Sequence, residues 1–202
     1  MLRMLAVIIS TCFLGVVENA RAAGEIAPEE WPFLPTWCRY TQTDNPYGPK
    51  ESVNSPSPKA QQLIDGIGRE GYANLHHYCW GLAQLQRSHN TGLSQAQRQF
   101  LRQSAIRDIY YVLNNSPRNF VLRPELLTKT GLIFFMLGDY GKAERALTTA
   151  ISEKPGYWPP YGYLSDVYVK QGRPDKARKV LQDGLRVAPG AKGLQTRLQA
   201  LK

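Results

Sequence analysis

The chain has 202 residues, 43% of them hydrophobic, and carries 25 Lys and Arg against 16 Asp and Glu for a net charge of +9. That length fits one domain or a short repeat array, and the apolar fraction suffices for a folded core, which excludes global disorder. A basic excess of this size favours acidic partners or anionic surfaces.

Arg3, the apolar run over 4–17 and the small-residue site Ala20-Arg21-Ala22 follow the order of a secretory signal peptide, so residues 1–22 are expected to be removed. An uncleaved anchor is the alternative, but a spanning helix needs roughly 20 apolar residues. This run stops sooner, at Glu18 and Asn19. A lipid-modified Cys12 is disfavoured because Thr11 stands where a small Ala or Gly is needed. Processing would remove Arg3, Arg21 and Glu18, lowering the net charge by one, together with Cys12. Cys38 and Cys79 would remain, an even pair suited to one disulfide in a periplasmic or extracellular setting.

Residues 23–59 read as an irregular N-terminal strap followed by a loop. Pro28, Pro32 and Pro35 forbid a long helix there, whereas Trp31, Phe33, Trp37 and Tyr40 can pack onto one. Residues 43–59 are rich in Pro, Ser, Asn and Gly, the composition of a flexible surface loop, and disorder is expected.

Over 60–123 the pattern is a helical hairpin. Helical character begins near Ala60 and strengthens over 75–87, where Leu75, Tyr78, Cys79, Leu82 and Leu85 recur at spacings of three and four. Asn90-Thr91-Gly92 breaks it. Ser94 is an N-cap for a second helix that carries Phe100, Leu101, Ala105, Ile109, Val112 and Leu113 and stops before Asn114-Asn115-Ser116-Pro117.

The next two blocks, 124–157 and 158–191, repeat that unit in register. Phe134 pairs with Tyr168, Gly138 with Gly172, Ala143 with Ala177, Leu147 with Leu181 and Pro155 with Pro189, each pair 34 residues apart. The glycines can adopt the positive φ that ends one helix tightly, the alanines let two helices approach closely, and the prolines stop the second helix. This pattern resembles the tetratricopeptide repeat family, strongly over 124–191 and weakly over 71–117, where the turn is long. The expected fold is all-α: a helical hairpin array of two clear repeats and one degenerate one, with residues 192–202 as a capping helix buried through Leu194, Leu198 and Leu201.

The resemblance implies a protein-binding module in which the inner faces of the first helices hold a partner peptide or helix. By register those positions are Thr128, Leu132, Phe135 and Met136 in one repeat and Gly162, Asp166, Val169 and Lys170 in the next. Members of the family that clamp a terminal carboxylate need Asn where Leu132 and Asp166 stand, so an apolar helix or strand docking beside Phe135 is the expected mode.

Three other features invite chemistry. His76, His77 and Cys79 are metal-ligand types, which leaves a metal or haem carrier as the alternative to a Cys38–Cys79 disulfide. Adjacent histidines diverge by about 100° on a helix, however, so both serve one ion only with strain. The chain holds three histidines and lacks a phosphate-binding glycine loop, HExxH or GxSxG, so neither enzyme activity nor a cofactor is expected. From Trp158 onward nine basic residues face three acidic ones. No aromatic interleaving accompanies them, which argues against nucleic acid; an anionic envelope polymer is the candidate ligand, and a solvated outer face the plain alternative. Tyr157-Trp158-Pro159-Pro160-Tyr161 is either inter-repeat packing or an exposed aromatic platform.

Overall fold

A computed structural model describes residues 25–43 and 50–201. The expected signal segment 1–22, Cys12, loop residues 44–49 and Lys202 lie outside the described residues. Two short 3-10 segments, Pro28–Phe33 and Thr36–Tyr40, precede α1 (Pro58–Ile67), α2 (Arg69–Arg87), α3 (Gln95–Asn115), α4 (Arg123–Met136), α5 (Tyr140–Glu153), α6 (Pro159–Lys170), α7 (Pro174–Val187) and α8 (Lys192–Ala200). Among the described residues there is no strand, and no helix is long and apolar enough to cross a membrane.

The segment leading into α1 is more built than its loop-like composition suggests. The buried carboxylate of Glu51 accepts from the Ser57 amide at 2.9 Å and the Ser57 hydroxyl at 2.6 Å. The Ser57 side chain in turn caps Ala60 N, and Pro58 opens the helix at its first position. Gly68 then interrupts what the sequence pattern reads as one helix from Ala60 to Arg87. Its φ of +84° lies in the left-handed region, so α1 and α2 meet at an angle.

α2 and α3 form the first antiparallel pair. Ser94 and Gln97 close a capping box at the start of α3, with the Gln97 amide donating to Ser94 Oγ at 3.2 Å and the Ser94 amide donating to Gln97 Oε1 at 2.8 Å. Phe100, expected on the apolar face, is instead 61% exposed, with the Arg107 guanidinium carbon 6.0 Å from its ring centre.

α4 pairs with α5 and α6 with α7, and each pair packs on the next. Both tight turns use glycine at positive φ, Gly138 at +80° and Gly172 at +69°. Asp139 caps α5 by accepting from the Lys142 amide at 3.0 Å. Ala143 and Ala177 are fully buried where the paired helices cross. Gly131 marks the closest approach of α4 to α5, since a Cβ there would lie 2.5 Å from Leu147 Cγ. α8 takes the place of a further first helix, with Leu194 fully buried against α6 and α7.

One apolar core runs through all the pairs from Leu75 to Leu194. A second cluster, formed by Ile26, Trp31, Leu34 and Cys38 of the strap with Cys79 and Ala83 of α2, holds the N-terminal segment down. Burying an indole the size of Trp31 contributes about 2–3 kcal/mol. The structure joins Cys38 to Cys79 in a disulfide with Cα atoms 5.8 Å apart. Arg87 adds charged bonds to Glu30 Oε2 at 2.7 Å and to the Glu25 carbonyl at 2.6 Å. The Tyr72 hydroxyl donates to the Tyr40 carbonyl at 2.9 Å and fixes the other end.

Candidate partner-binding face

α4 packs beside α6 and α6 beside α8, so the first helix of each pair lines one face of the array. The residues expected on that face divide into three groups. Thr128 and Gly162 are consumed by packing: Thr128 is 2% exposed and its hydroxyl donates to Pro124 O at 2.7 Å, and a Cβ on Gly162 would sit 3.4 Å from Leu194. Asp166 is consumed electrostatically, since Arg197 of α8 donates from Nε to Oδ1 at 3.0 Å and from Nη2 to Oδ2 at 3.1 Å. α8 is thus fixed to α6 by an apolar anchor at Leu194 and, one turn on, a forked ion pair at Arg197.

Leu132, Phe135, Met136, Val169 and Lys170 keep surface to offer. Leu132, Phe135 and Met136 are half-buried, and the Phe135 ring lies 5.8 Å from that of Tyr140. Val169 is 46% exposed and Lys170 is exposed with no ion pair among the described residues. These side chains project from helices whose opposite faces are locked in the core, so the surface is rigid and preformed.

The same face continues toward α2, where the strap borders it. Pro32, Phe33, Leu34 and Pro35 form one wall of a cleft of about 420 Å³, facing Leu82, Leu85, Gln86 and His89 of α2 and Glu125, Lys129 and Leu132 of α4. Phe33 is 68% exposed at its rim. Behind the wall, Trp37 stacks on Tyr78 with ring centroids 5.9 Å apart, and the Tyr78 hydroxyl donates to Glu125 Oε1 at 2.7 Å. Burial, then the Glu125 charge, push the Tyr78 phenol well above its ordinary pKa, so it stays a donor and keeps Glu125 occupied. Of these cleft residues only Leu132 follows from the repeat register. The others depend on where the strap docks, which the sequence signals through the pairing of Cys38 with Cys79 and the strap's aromatic residues.

His76 and His77 do not assemble a metal site with Cys79. The Cys79 sulfur is bonded to Cys38, and among the described residues no three His, Cys, Asp or Glu side chains are grouped to hold an ion. His77 Nδ1 instead lies 3.2 Å from Asp108 Oδ1 of α3, and its ring packs 3.9 Å from Tyr111 and 4.7 Å from Trp80. Burial, reinforced by His77, lowers His76 to a pKa of about 4, so it is neutral at ordinary pH. The carboxylate of Asp108 was out of reach of any argument confined to α2.

On the C-terminal basic face most charges are spent locally: Arg173 on Glu144, Arg178 on Asp175, Lys179 and Arg186 on Asp183, and Arg197 on Asp166. Lys170, Lys176 and Lys192 have no such partner among the described residues. Within the Tyr157-to-Tyr161 run, Tyr161 is buried and its hydroxyl donates to Pro155 O at 2.9 Å, while Trp158 is partly exposed beside Gly193. The run therefore serves mainly as inter-repeat packing.

A tetratricopeptide repeat family model matches residues 134–201, the span covering α5 to α8 and the end of α4. The C-terminal part of the chain is a tetratricopeptide-repeat array. Its fold is similar to that of a thermophilic tetratricopeptide-repeat protein of Thermus thermophilus, with a TM-score of 0.57 and 19% identity over 71% of this chain and 69% of that one. No curated protein matches the chain. Tetratricopeptide repeats generally serve as non-catalytic scaffolds for protein partners, so the repeat array is a protein–protein interaction module.

Proposed function

We propose that this repeat protein is an exported adaptor that holds a protein or peptide partner along the inner face of α4 and α6 and supports assembly of an envelope or secretion complex. The observation that carries the binding mode is the row of Leu132, Phe135, Met136 and Val169, apolar side chains left partly exposed on helices whose other faces are fully engaged. A helix or strand with apolar side chains at matching spacing fits that row better than a free carboxylate does, because Asp166 is committed to Arg197.

Export to the periplasm or beyond is supported by the signal-like order of residues 1–22 and by the fully buried Cys38–Cys79 pair, which needs an oxidising compartment to form. Lys170, Lys176 and Lys192 offer an anionic envelope polymer a secondary contact.

Intact mass spectrometry of the protein recovered from its producing cells tests the compartment. A chain beginning near Ala23 and two hydrogens light until reduced is the expected result; a full-length chain with free thiols refutes export. Affinity capture with wild type and with Phe135→Glu plus Val169→Glu tests the face. Equal recovery of partners by both proteins would refute it.

A further inference from the structure

We infer that the outer face of α3 binds an acidic polysaccharide strand, with Phe100 and Tyr111 as stacking platforms and Arg107 between them as the contact for a sugar carboxylate. The choice of a glycan rests on the export reading; the surface itself does not depend on it.

A contrast between equivalent helices carries the inference. α3, α5 and α7 are the second members of their pairs, and each turns one side to solvent. On α5 and α7 that side is an ordinary solvated face, with Lys142 and Glu153 exposed on one, Asp175 and Lys176 on the other, and no exposed aromatic ring. α3 instead exposes Phe100 by 61%, Tyr110 by 39% and Tyr111 by 45%, interleaved with the exposed amides of Gln99, Gln103 and Asn114. Three rings gathered on one helix face are not the singly scattered apolar residues of an ordinary surface.

The row is built. Phe100, Arg107 and Tyr111 follow one another at intervals of seven and four residues. That spacing brings them within about 40° of one line along the helix and sets the two rings about 16 Å apart along it. Arg107 Nη2 donates to Ser104 Oγ at 2.7 Å, and its guanidinium carbon lies 6.0 Å from the Phe100 ring centre. The Tyr111 ring lies 3.9 Å from the imidazole of His77, which is itself tied to Asp108 at 3.2 Å. These contacts order the row before a ligand arrives.

Charge on the face is one-sided. α3 has no Lys and no Glu, and its one carboxylate, Asp108, is half-buried and turned to His77. Glu70, the one acid of α2, stands in the first turn of that helix, past the contact of Asn74 with Asn115. Arg98 and Arg102 donate to the neutral carbonyls of Leu93 and Met136, which leaves their charges uncancelled. With Asp108 counted against Arg107, the face therefore stays positive. Guanidinium and amide groups donate to carboxylate and hydroxyl oxygens, and open rings offer apolar faces to sugar rings. Rings this far apart suit a linear polymer, since a single small molecule cannot reach both. A single-stranded nucleic acid would meet the same rings and arginines. Export favours the glycan.

The test titrates hexagalacturonate, neutral maltohexaose and hexathymidylate into the full oxidised protein, followed by NMR shifts of the Phe100 and Tyr111 rings and the Gln103 and Asn114 side-chain amides. Hexagalacturonate is expected to bind saturably and roughly two- to fivefold more tightly than maltohexaose. Arg107→Gln should erase that preference. Phe100→Ala and Tyr111→Ala, both at exposed positions, should each weaken hexagalacturonate about tenfold. Lys170→Gln with Lys176→Gln and Lys192→Gln should leave the shifts at α3 in place. Absence of saturable shifts at α3 with millimolar hexagalacturonate, equal affinity for the two sugars, a preference that survives Arg107→Gln, or tighter binding of hexathymidylate overturns the inference. Those outcomes leave the adaptor face at Phe135 untouched, and the intact mass decides export separately.

Discussion

Removing the Cys38–Cys79 link is the perturbation whose size follows most directly from the structure. The cysteines are separated by 41 residues, and closing a loop of that length removes unfolded-state entropy worth about 4 kcal/mol at 25 °C by the chain-entropy account. For a protein of this size each kcal/mol moves the melting temperature by about 2–4 °C, so Cys38→Ala with Cys79→Ala should melt about 8–16 °C below the oxidised wild type. Both sulfurs are fully buried, so alanine removes little volume and adds no polar group. Differential scanning calorimetry of the variant and of wild type, with and without reductant, gives the shift, and the fluorescence lost or red-shifted in a Trp31→Phe comparison reports whether the strap has detached. A variant that melts within about 2 °C of the oxidised wild type would refute both the link and the role assigned to it.

Other substitutions probe separate joints of the fold. Gly131→Ala should cost about 1–3 kcal/mol by urea denaturation, because the new methyl overlaps Leu147, whereas Gly66→Ala meets nothing in α1 and should be neutral or stabilising by up to about 1 kcal/mol. Equal effects at the two sites would contradict the close approach of α4 and α5. Ser94→Ala should cost about 1 kcal/mol through loss of the α3 cap, with thermal melts as the readout. His76 carries a folded pKa of about 4, below its ordinary value of 6.5, so the unfolded chain binds the extra proton first and stability falls as pH drops from about 6.5 to about 4. The partly solvated ring limits this loss to about 1–2 kcal/mol. His76→Gln should flatten that limb of a stability-against-pH curve, and an unchanged limb would refute the assignment.

The repeats were legible because their constraints are local and recur. Gly138 and Gly172 need the same positive φ, Ala143 and Ala177 fill the same crossing, and a 34-residue period makes each position vouch for the other. The first hairpin was less legible. Gly68 breaks a continuous apolar pattern through backbone conformation alone, which periodicity does not register, and Phe100 follows the helical period yet lies at the surface under Arg107 rather than in the core. On the binding face, register located Leu132 and Phe135, but it could not show that Arg197 would occupy Asp166 or that Thr128 would turn its hydroxyl back onto Pro124. Those outcomes depend on neighbours 4 to 31 residues away in sequence. The cleft was invisible for a related reason. Its wall comes from a proline-rich segment with no periodicity, placed by the link to Cys79 and by the Glu30 contact with Arg87.

Site-specific photocrosslinking in the native producing cell tests the central proposal most directly. A benzophenone side chain is placed at Phe135, on the inner face, and in a parallel strain at Thr148, exposed on α5 away from it. A discrete crosslinked species from position 135 that is absent at 148 is the predicted result. Crosslinks of equal yield at both positions, or none at 135 while the protein is folded and present, would contradict the assignment of that face to a partner.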